Sequence, residues 1–272
     1  MKPEISVTLV ARNAAATIEQ AISSVLRQSF VNFELIVVDD GSNDDTSQIV
    51  ASIKDNRILL IQNNHDYIGS LNLALQEAQG KYIARMDADD YMHFERLRVQ
   101  RGFMYAHPEV NICGTWMKTF GIVREERRMP SGLVQCPALR LLEGNFMFHP
   151  TIMFQKDFLI ENSLSYKQGY DYAEDYKLWA DAALCGAIFY IFPKYLHFYR
   201  KSDVQSSVAY ADLQHNSAFR IYCELLQTHA DRISNSNVAT ILKNLIALYD
   251  TGNILPADLA RLFQMLATYL PR

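Results

Sequence analysis

The chain has 272 residues, 49% hydrophobic and 21% charged, which suits one large α/β domain with an appendage, or two small domains, and excludes a disordered or fibrous chain. Its 26 basic and 30 acidic side chains give a formal charge of −4, which argues against a general nucleic-acid binder but not against a small anionic ligand held locally. The four cysteines form no CxxC pair, which argues against a zinc ribbon or redox motif and predicts buried free thiols in a reducing compartment.

Ile5–Val10 reads as a first strand. Its surroundings (Lys2, Ile5 to Ala11, Ala14-Ala15-Ala16) mimic a signal peptide, but the apolar stretch is short, carries Ser6 and Thr8, and runs at once into Arg12 and Asn13. Ala14–Gln28 predicts a helix with Asn13 as N-cap and Ile18, Ile22, Val25 and Leu26 on one face. Glu34–Val38 is a short apolar run, so a strand buried on both faces. The polar turn Asp39–Asp45 follows, then a helix over Thr46–Lys54 and a strand over Arg57–Ile61. Ser70–Gln79 predicts a helix capped by Gly80, and Lys81–Met86 a strand running into Asp87-Ala88-Asp89-Asp90. Such alternation predicts a parallel sheet with helices on both faces, with ligands beyond the carboxyl ends of its strands.

The middle is less regular. Phe94–His107 reads as a helix, Val110–Val123 as one or two strands, Glu125–Pro137 as a charged loop and Pro137–Leu142 as a short helix. Thr151–Phe154, Ile188–Phe192 and Leu196–Tyr199 read as strands, and Ala173–Leu184 as a helix ended by Gly186. From Ala209 onward the pattern is helical, with apolar Val238, Ile241, Leu242, Leu245 and later Leu259, Leu262, Phe263 at helical spacing. No apolar run reaches the ~20 residues that span a bilayer. Trp116 and Trp179 read as core residues, and His65, His93, His107 and His229 as surface or satisfied residues.

Three acidic clusters carry the chemistry. Asp87-Ala88-Asp89-Asp90 crowds like charges at a strand end, where a cation or donor-rich ligand compensates them; Asp87 and Asp89, two apart, can face one ligand. Hard oxygen ligands suit Mg²⁺ or Mn²⁺. Taken alone, the cluster also fits a solvated turn. Asp39-Asp40-Gly41-Ser42 can accept hydrogen bonds from a ligand or simply form a turn; it lacks the spacing and closing glutamate of an EF-hand. Glu174-Asp175, at a helix start, can serve as a general base or merely complement the helix dipole.

Together these motifs resemble a family 2 nucleotide-sugar glycosyltransferase of the GT-A fold, from Ile5 to about Ser207. The resemblance is carried by Ser6-Val7-Thr8-Leu9 with Asn13, by Gln28-Ser29-Phe30 and Phe33 to Ser42, by Ala78 to Asp90, by Glu174 to Trp179, and by Tyr199-Arg200 with Gln205 and Ser207. Arg85-Met86 before the DxD, Glu95-Arg96-Leu97 after it and His149-Pro150-Thr151 resemble a bacterial subgroup that builds surface polysaccharides.

The resemblance implies a Rossmann-like, mostly parallel central sheet flanked by helices. It implies a catalytic domain over 1–208 (nucleotide-binding half 1–90, acceptor half 91–208) and a helical extension over 209–272. Val10, Arg12, Asn13, Asp39, Asp40, Asp87, Ala88, Asp89 and Arg200 would bind the nucleotide sugar. Asp40 would meet the uracil, Asp89 with Asp87 would hold Mn²⁺ or Mg²⁺, and Asp90 is a weaker ligand candidate. Asp175 would be the general base, with Glu174 beside it. Val10, Arg12 and Ser202 depart from the family, which often has proline, an aromatic residue and histidine there.

The implied activity is inverting transfer of a hexose or N-acetylhexosamine from a UDP-sugar to a glycan or lipid-linked saccharide, with no nucleic-acid partner. Alternatives are a non-catalytic protein of the same fold and a sugar-phosphate nucleotidyltransferase, though Ala11–Ala16 lacks the latter's glycine-rich loop. A cytoplasmic location at the inner face of the plasma membrane, peripheral membrane contact and a homodimer through the C-terminal helices are further expectations.

Overall fold

The computed structural model describes residues 2–202 and 210–232, with isolated helical positions at Thr240, Asn244 and Ala247. The apolar and β-branched runs of the first third become four parallel strands: β1 (Ile5–Ala11), β2 (Phe33–Asp40), β3 (Ile58–Asn63) and β4 (Tyr82–Asp87). Helices α1 (Ile18–Leu26), α2 (Thr46–Ser52) and α3 (Tyr67–Glu77) connect them. The order β3-β2-β1-β4 makes β1 and β4 neighbours, so both acidic strand ends fall on one edge.

Beyond β4 the chain forms β5 (Tyr91–Met92), α4 (Arg96–Ala106), β6 (Ile112–Gly121), β7 (Glu126–Arg127), β8 (Gly132–Leu133) and α5 (Pro137–Leu141). A 3₁₀ turn over His149–Thr151 leads to β9 (Met153–Gln155), then α6 (Lys156–Glu161), α7 (Glu174–Leu184), β10 (Phe189–Lys201) and α8 (Ala211–Arg232). The sheet continues from β4 through β9, β6 and β10 to β5. Its long pairings are parallel, β6 with β10 included, while each antiparallel pairing covers only two or three residues.

β2 is buried on both faces, as its apolar run predicts. Ile36 and Val38 join a core with α3, α7 and α8, whereas Leu35 and Val37 join one with α1, α2 and α4. α8 seats Phe219, Ile221, Leu225 and Leu226 in the first core, and Lys177 of α7 pairs with Glu224 at 2.9 Å. This helix is the start of the predicted helical extension; Val238, Ile241, Leu242, Leu245, Leu259, Leu262 and Phe263, and the boundary at 208, lie outside the described residues.

Several local expectations change. The first helix begins at Ile18 with Thr17 before it, so Asn13 is not its cap; Asn13 sits at φ +49° in the preceding turn. Ile188–Phe192 and Leu196–Tyr199 are one strand, because register shifts on either side of Tyr195 absorb Pro193 and Lys194 as a bulge. Thr151 belongs to the 3₁₀ turn, and β9 starts at Met153. Of the cysteines only Cys113 is fully buried, while Cys136 and Cys185 are exposed. Trp179 is in the core, but Trp116 is half-buried, with its indole N–H on the Met129 carbonyl at 2.7 Å.

Gly80 does not cap α3, which ends at Glu77. It lies against β1, where its N–H donates to Ser6 Oγ at 2.8 Å and a Cβ would come within 2.5 Å of the Ser6 nitrogen. A backbone neighbour cannot give way as a side chain can. Gly80→Ala is therefore expected to cost about 1–3 kcal/mol, seen as a lower midpoint in urea unfolding; an unchanged midpoint would show that β1 shifts freely.

Candidate active site

The turn after β2 is tied to the turn after β1. The Asn13 N–H donates to Ser42 Oγ at 2.9 Å, and Asn13 Oδ1 accepts from the Asn43 N–H at 2.9 Å. Ser42 Oγ in turn donates to Asp39 Oδ1 at 2.5 Å. Asp40, fully buried, accepts at Oδ1 from the Asp66 N–H (2.7 Å) and from Ser70 Oγ (2.8 Å), and its Oδ2 faces His65. Asp39 and Asp40 therefore end a buried strand and brace two loops rather than standing in an open polar turn. Val10 pairs with Val38 and Asp87 across β1 and is half-buried. Arg12 is exposed beside this turn.

The acidic segment after β4 divides by role. Asp90 is 0% exposed, and its two oxygens accept from His197 Nε2 (2.7 Å) and the Arg200 N–H (2.7 Å). His197 Nδ1 lies 3.2 Å from Arg96 Nη1. A guanidinium only donates, so Nδ1 accepts and the proton sits on Nε2. Burial, with the Arg96 charge, pushes the imidazole well below its usual range, so it is neutral. Burial and the Asp87 charge push Asp90 upward, but the two donors on its oxygens hold it as a carboxylate. Arg96 continues to the Arg85 and Ile152 carbonyls and to Gln100. The Arg200 guanidinium donates to the Asp89 carbonyl at 2.8 Å and to Gln20 at 2.6 Å. Arg200 and Asp90 thus hold the shape of this loop, and Asp90 is not available as a metal ligand.

Asp87 pairs with Arg85 at 2.5 Å. Ala88 is half-buried against the α1 side of the sheet. Asp89 is half-buried, and burial with the charges of Asp87 and Asp90 pushes its carboxyl up to about 7. Among the described residues no three His, Cys, Asp or Glu side chains converge into a metal cage. The donor set fits a hard cation held by Asp89 and by substrate phosphate oxygens, the usual manner of Mg²⁺, rather than a preformed all-protein site.

Glu174 and Asp175 open α7, where the helix dipole favours negative charge. Asp175 accepts from Asn145 Nδ2 at 3.0 Å and from the Tyr176 N–H at 2.7 Å. Burial raises its carboxyl above the usual range, against those two donors. Glu174 is 8% exposed, and burial together with the Asp175 charge pushes it up to about 7. The charge of Arg85 acts on Asp89, Asp90, Glu174 and Asp175, so the acidic loop and the acidic helix start lie near one buried cation. Reactions that need the deprotonated pair lose rate as pH falls. The acid limb of a kcat/KM profile is expected above the usual carboxylate range, because both members of the pair are pushed upward. A flat profile down to pH 5 would remove the pair from proton transfer.

Asn145 is a site residue that the motifs do not single out, and Arg85 carries no role in them beyond the subgroup resemblance. Arg85 is 5% exposed and stands alone among apolar neighbours in β4, and that interruption is its sequence signal. Asn145 lies in an irregular loop and leaves none.

The mixed sheet, with two acidic motifs at one strand edge and a third opening a helix, has the GT-A fold. The family model described as Glycosyl transferase family 2 matches residues 6–169, and the chain belongs to that family. An uncharacterized glycosyltransferase of Haemophilus influenzae is 30% identical over 246 residues, covering 85% of this chain and 76% of the relative. The UDP-Glc:alpha-D-GlcNAc-diphosphoundecaprenol beta-1,3-glucosyltransferase WfaP of Escherichia coli is 41% identical over 102 residues, 37% of this chain and 41% of that protein. The chain thus matches less than half the length of this second relative. The structure of Staphylococcus aureus TarS 1–349 in complex with UDP-GlcNAc superposes with a TM-score of 0.69 at 22% identity, covering 83% of this chain and 66% of that one.

Proposed function

We propose that the chain is an inverting, metal-dependent glycosyltransferase. It moves a hexose or N-acetylhexosamine from a UDP-sugar to a hydroxyl of a glycan or lipid-linked saccharide during surface-polysaccharide synthesis. The observation that carries this reading is the convergence of Asp87, Asp89 and the Glu174–Asp175 pair around one buried arginine. The nucleotide named in the TarS complex and the lipid-diphosphate acceptor named for WfaP support the substrate classes.

In this reading the turns after β1 and β2 (Val10, Arg12, Asn13, Asp39, Asp40) seat the uridine. Asp87 and Ala88 line the path to the diphosphate, and Asp89 holds the Mn²⁺ or Mg²⁺. The bound cation supplies charge neutralisation for the departing UDP. Asp175 accepts the proton of the acceptor hydroxyl while Asn145 holds its carboxylate in place. The oxygen attacks the anomeric carbon on the face opposite UDP, so one displacement inverts the configuration and needs no covalent enzyme intermediate. Residues 1–90 form the nucleotide half, 91–208 the acceptor half and 209–272 the helical extension. No helix among the described residues is long and apolar enough to cross a membrane. In the same reading, contact with a lipid-linked acceptor is peripheral, at the inner face of the plasma membrane, with dimer packing through the helical extension.

The test is UDP release from a panel of UDP-sugars, with acceptor and with Mn²⁺ or EDTA. Turnover of one donor that stops with EDTA is the expected result. Turnover unaffected by EDTA would remove the metal from the mechanism. No UDP binding in any condition would overturn the donor assignment.

A further inference from the structure

We propose that Tyr67 is the platform for the transferred sugar ring, held in place through its hydroxyl by the buried Arg85. This deepens the UDP-sugar reading above and rests on it.

The first turn of α3 bridges the two halves of the cleft. The Asp66 N–H donates to Asp40 at the end of β2, while Asp66 Oδ1 accepts from Gln168 in the segment leading to α7. One turn further on, Asn72 exchanges two hydrogen bonds of 2.9 Å with the backbone of Tyr166. Tyr67 therefore starts its helix between the nucleotide turn and the acidic pair. Its hydroxyl takes a hydrogen bond from Arg85 Nη2 at 3.1 Å, and the same nitrogen pairs with Asp87. The charges of Glu174 and Asp87 both act on that hydroxyl.

Tyr67 is nonetheless 41% exposed. Its polar end is fixed on a buried cation, while much of the residue remains open to solvent. A tyrosine presents an apolar face together with a polar handle, and that suits the C–H face of a pyranose. The position, between the diphosphate carboxylate and the base, is where the sugar must lie for Asp175 to serve an attacking hydroxyl. Arg85 Nη1 is buried and makes no hydrogen bond among the described residues, so the guanidinium keeps a spare donor. Mere solubility or packing gives no reason to hold an exposed ring so firmly from below. Among the described residues the end of β2 meets α3 through the Asp66 N–H and Ser70, whereas Tyr67 meets Arg85 and through it Asp87.

The experiment measures affinity for UDP, UDP-glucose and UDP-N-acetylglucosamine by calorimetry with Mn²⁺, in the full chain and in Tyr67→Ala and Tyr67→Phe. The readout is the affinity for the tighter sugar nucleotide relative to UDP. Tyr67→Ala is expected to lower that ratio about tenfold, and Tyr67→Phe, which keeps the ring, less than about threefold. A melting temperature within about 3 °C of wild type serves as the control for folding. An unchanged ratio in Tyr67→Ala, or an equal loss for all three nucleotides, overturns the platform while leaving the donor class intact. A wild-type chain that binds none of the three overturns both readings, so the two failures are distinguishable.

Discussion

Asp175→Asn is expected to lower the transfer rate about 10³-fold while leaving UDP affinity within about twofold. The amide cannot take a proton from the acceptor hydroxyl. It also fits its own surroundings poorly, because Asn145 Nδ2 and the Tyr176 N–H both donate to Asp175 and an amide offers only one acceptor atom. Asn145 cannot flip to compensate without giving up the bond its Oδ1 accepts from the Met147 N–H. None of these contacts involves the turns after β1 and β2, so nucleotide binding should survive. Single-turnover rates and UDP calorimetry on the same preparation separate the two effects. Glu174→Gln is the comparison, since burial and the Asp175 charge push its carboxyl up to about 7 and it lies one residue away. If Glu174→Gln silences transfer and Asp175→Asn does not, the base is Glu174. Equal loss of transfer and UDP binding in Asp175→Asn would show a structural role instead.

The second large effect lies beneath the acidic loop. Asp90, His197 and Arg96 are each 0% exposed and form one chain of charge-assisted hydrogen bonds. Removing one member strands the others without water. His197→Ala should therefore cost about 3–5 kcal/mol, a fall in melting temperature on the order of 10 °C. His197→Phe refills the volume but supplies neither donor nor acceptor, so it should lose nearly as much. A cavity effect alone would instead let Phe rescue Ala, and that outcome would sink the network argument. Because Asp90 and Arg200 shape the loop that carries Asp89, these variants should also weaken metal-dependent UDP binding before they unfold. Melting curves with and without UDP and Mn²⁺ read both effects.

Some of this was legible in the residues alone. The apolar run before Asp39 marked a doubly buried strand because both of its faces lack polar side chains. The alternation of such runs with helical periods implied neighbouring parallel strands with their acidic ends together. The acidic pair at Glu174 was placed on a helix start because a helical period follows it. Gly186, at φ +84°, ends that helix as expected, whereas Gly80 does not end α3. A glycine next to a helix end signals a cap only when the backbone turns left-handed there. At Gly80 the lack of a side chain serves close approach to β1, a partner 74 residues away.

Local patterns set what can be read from a chain in isolation. Periodicity, turn chemistry and clustered carboxylates act over a few residues, and they marked the strand ends, the acidic motifs and the family resemblance. Partners far apart in the chain leave no such trace. Asp90 and His197 meet across 107 positions, and that contact, not the acidic motif, decided that Asp90 is structural. The bulge that makes β10 one strand depends on the register of β6 beside it. Arg85 acquired its meaning only when β4, α3 and α7 closed around it, because a buried cation is tolerable only where several groups offset its charge at once. Motif chemistry is short-range and survives in the sequence, whereas the assignment of each carboxylate to structure or to reaction depends on who faces it in the fold.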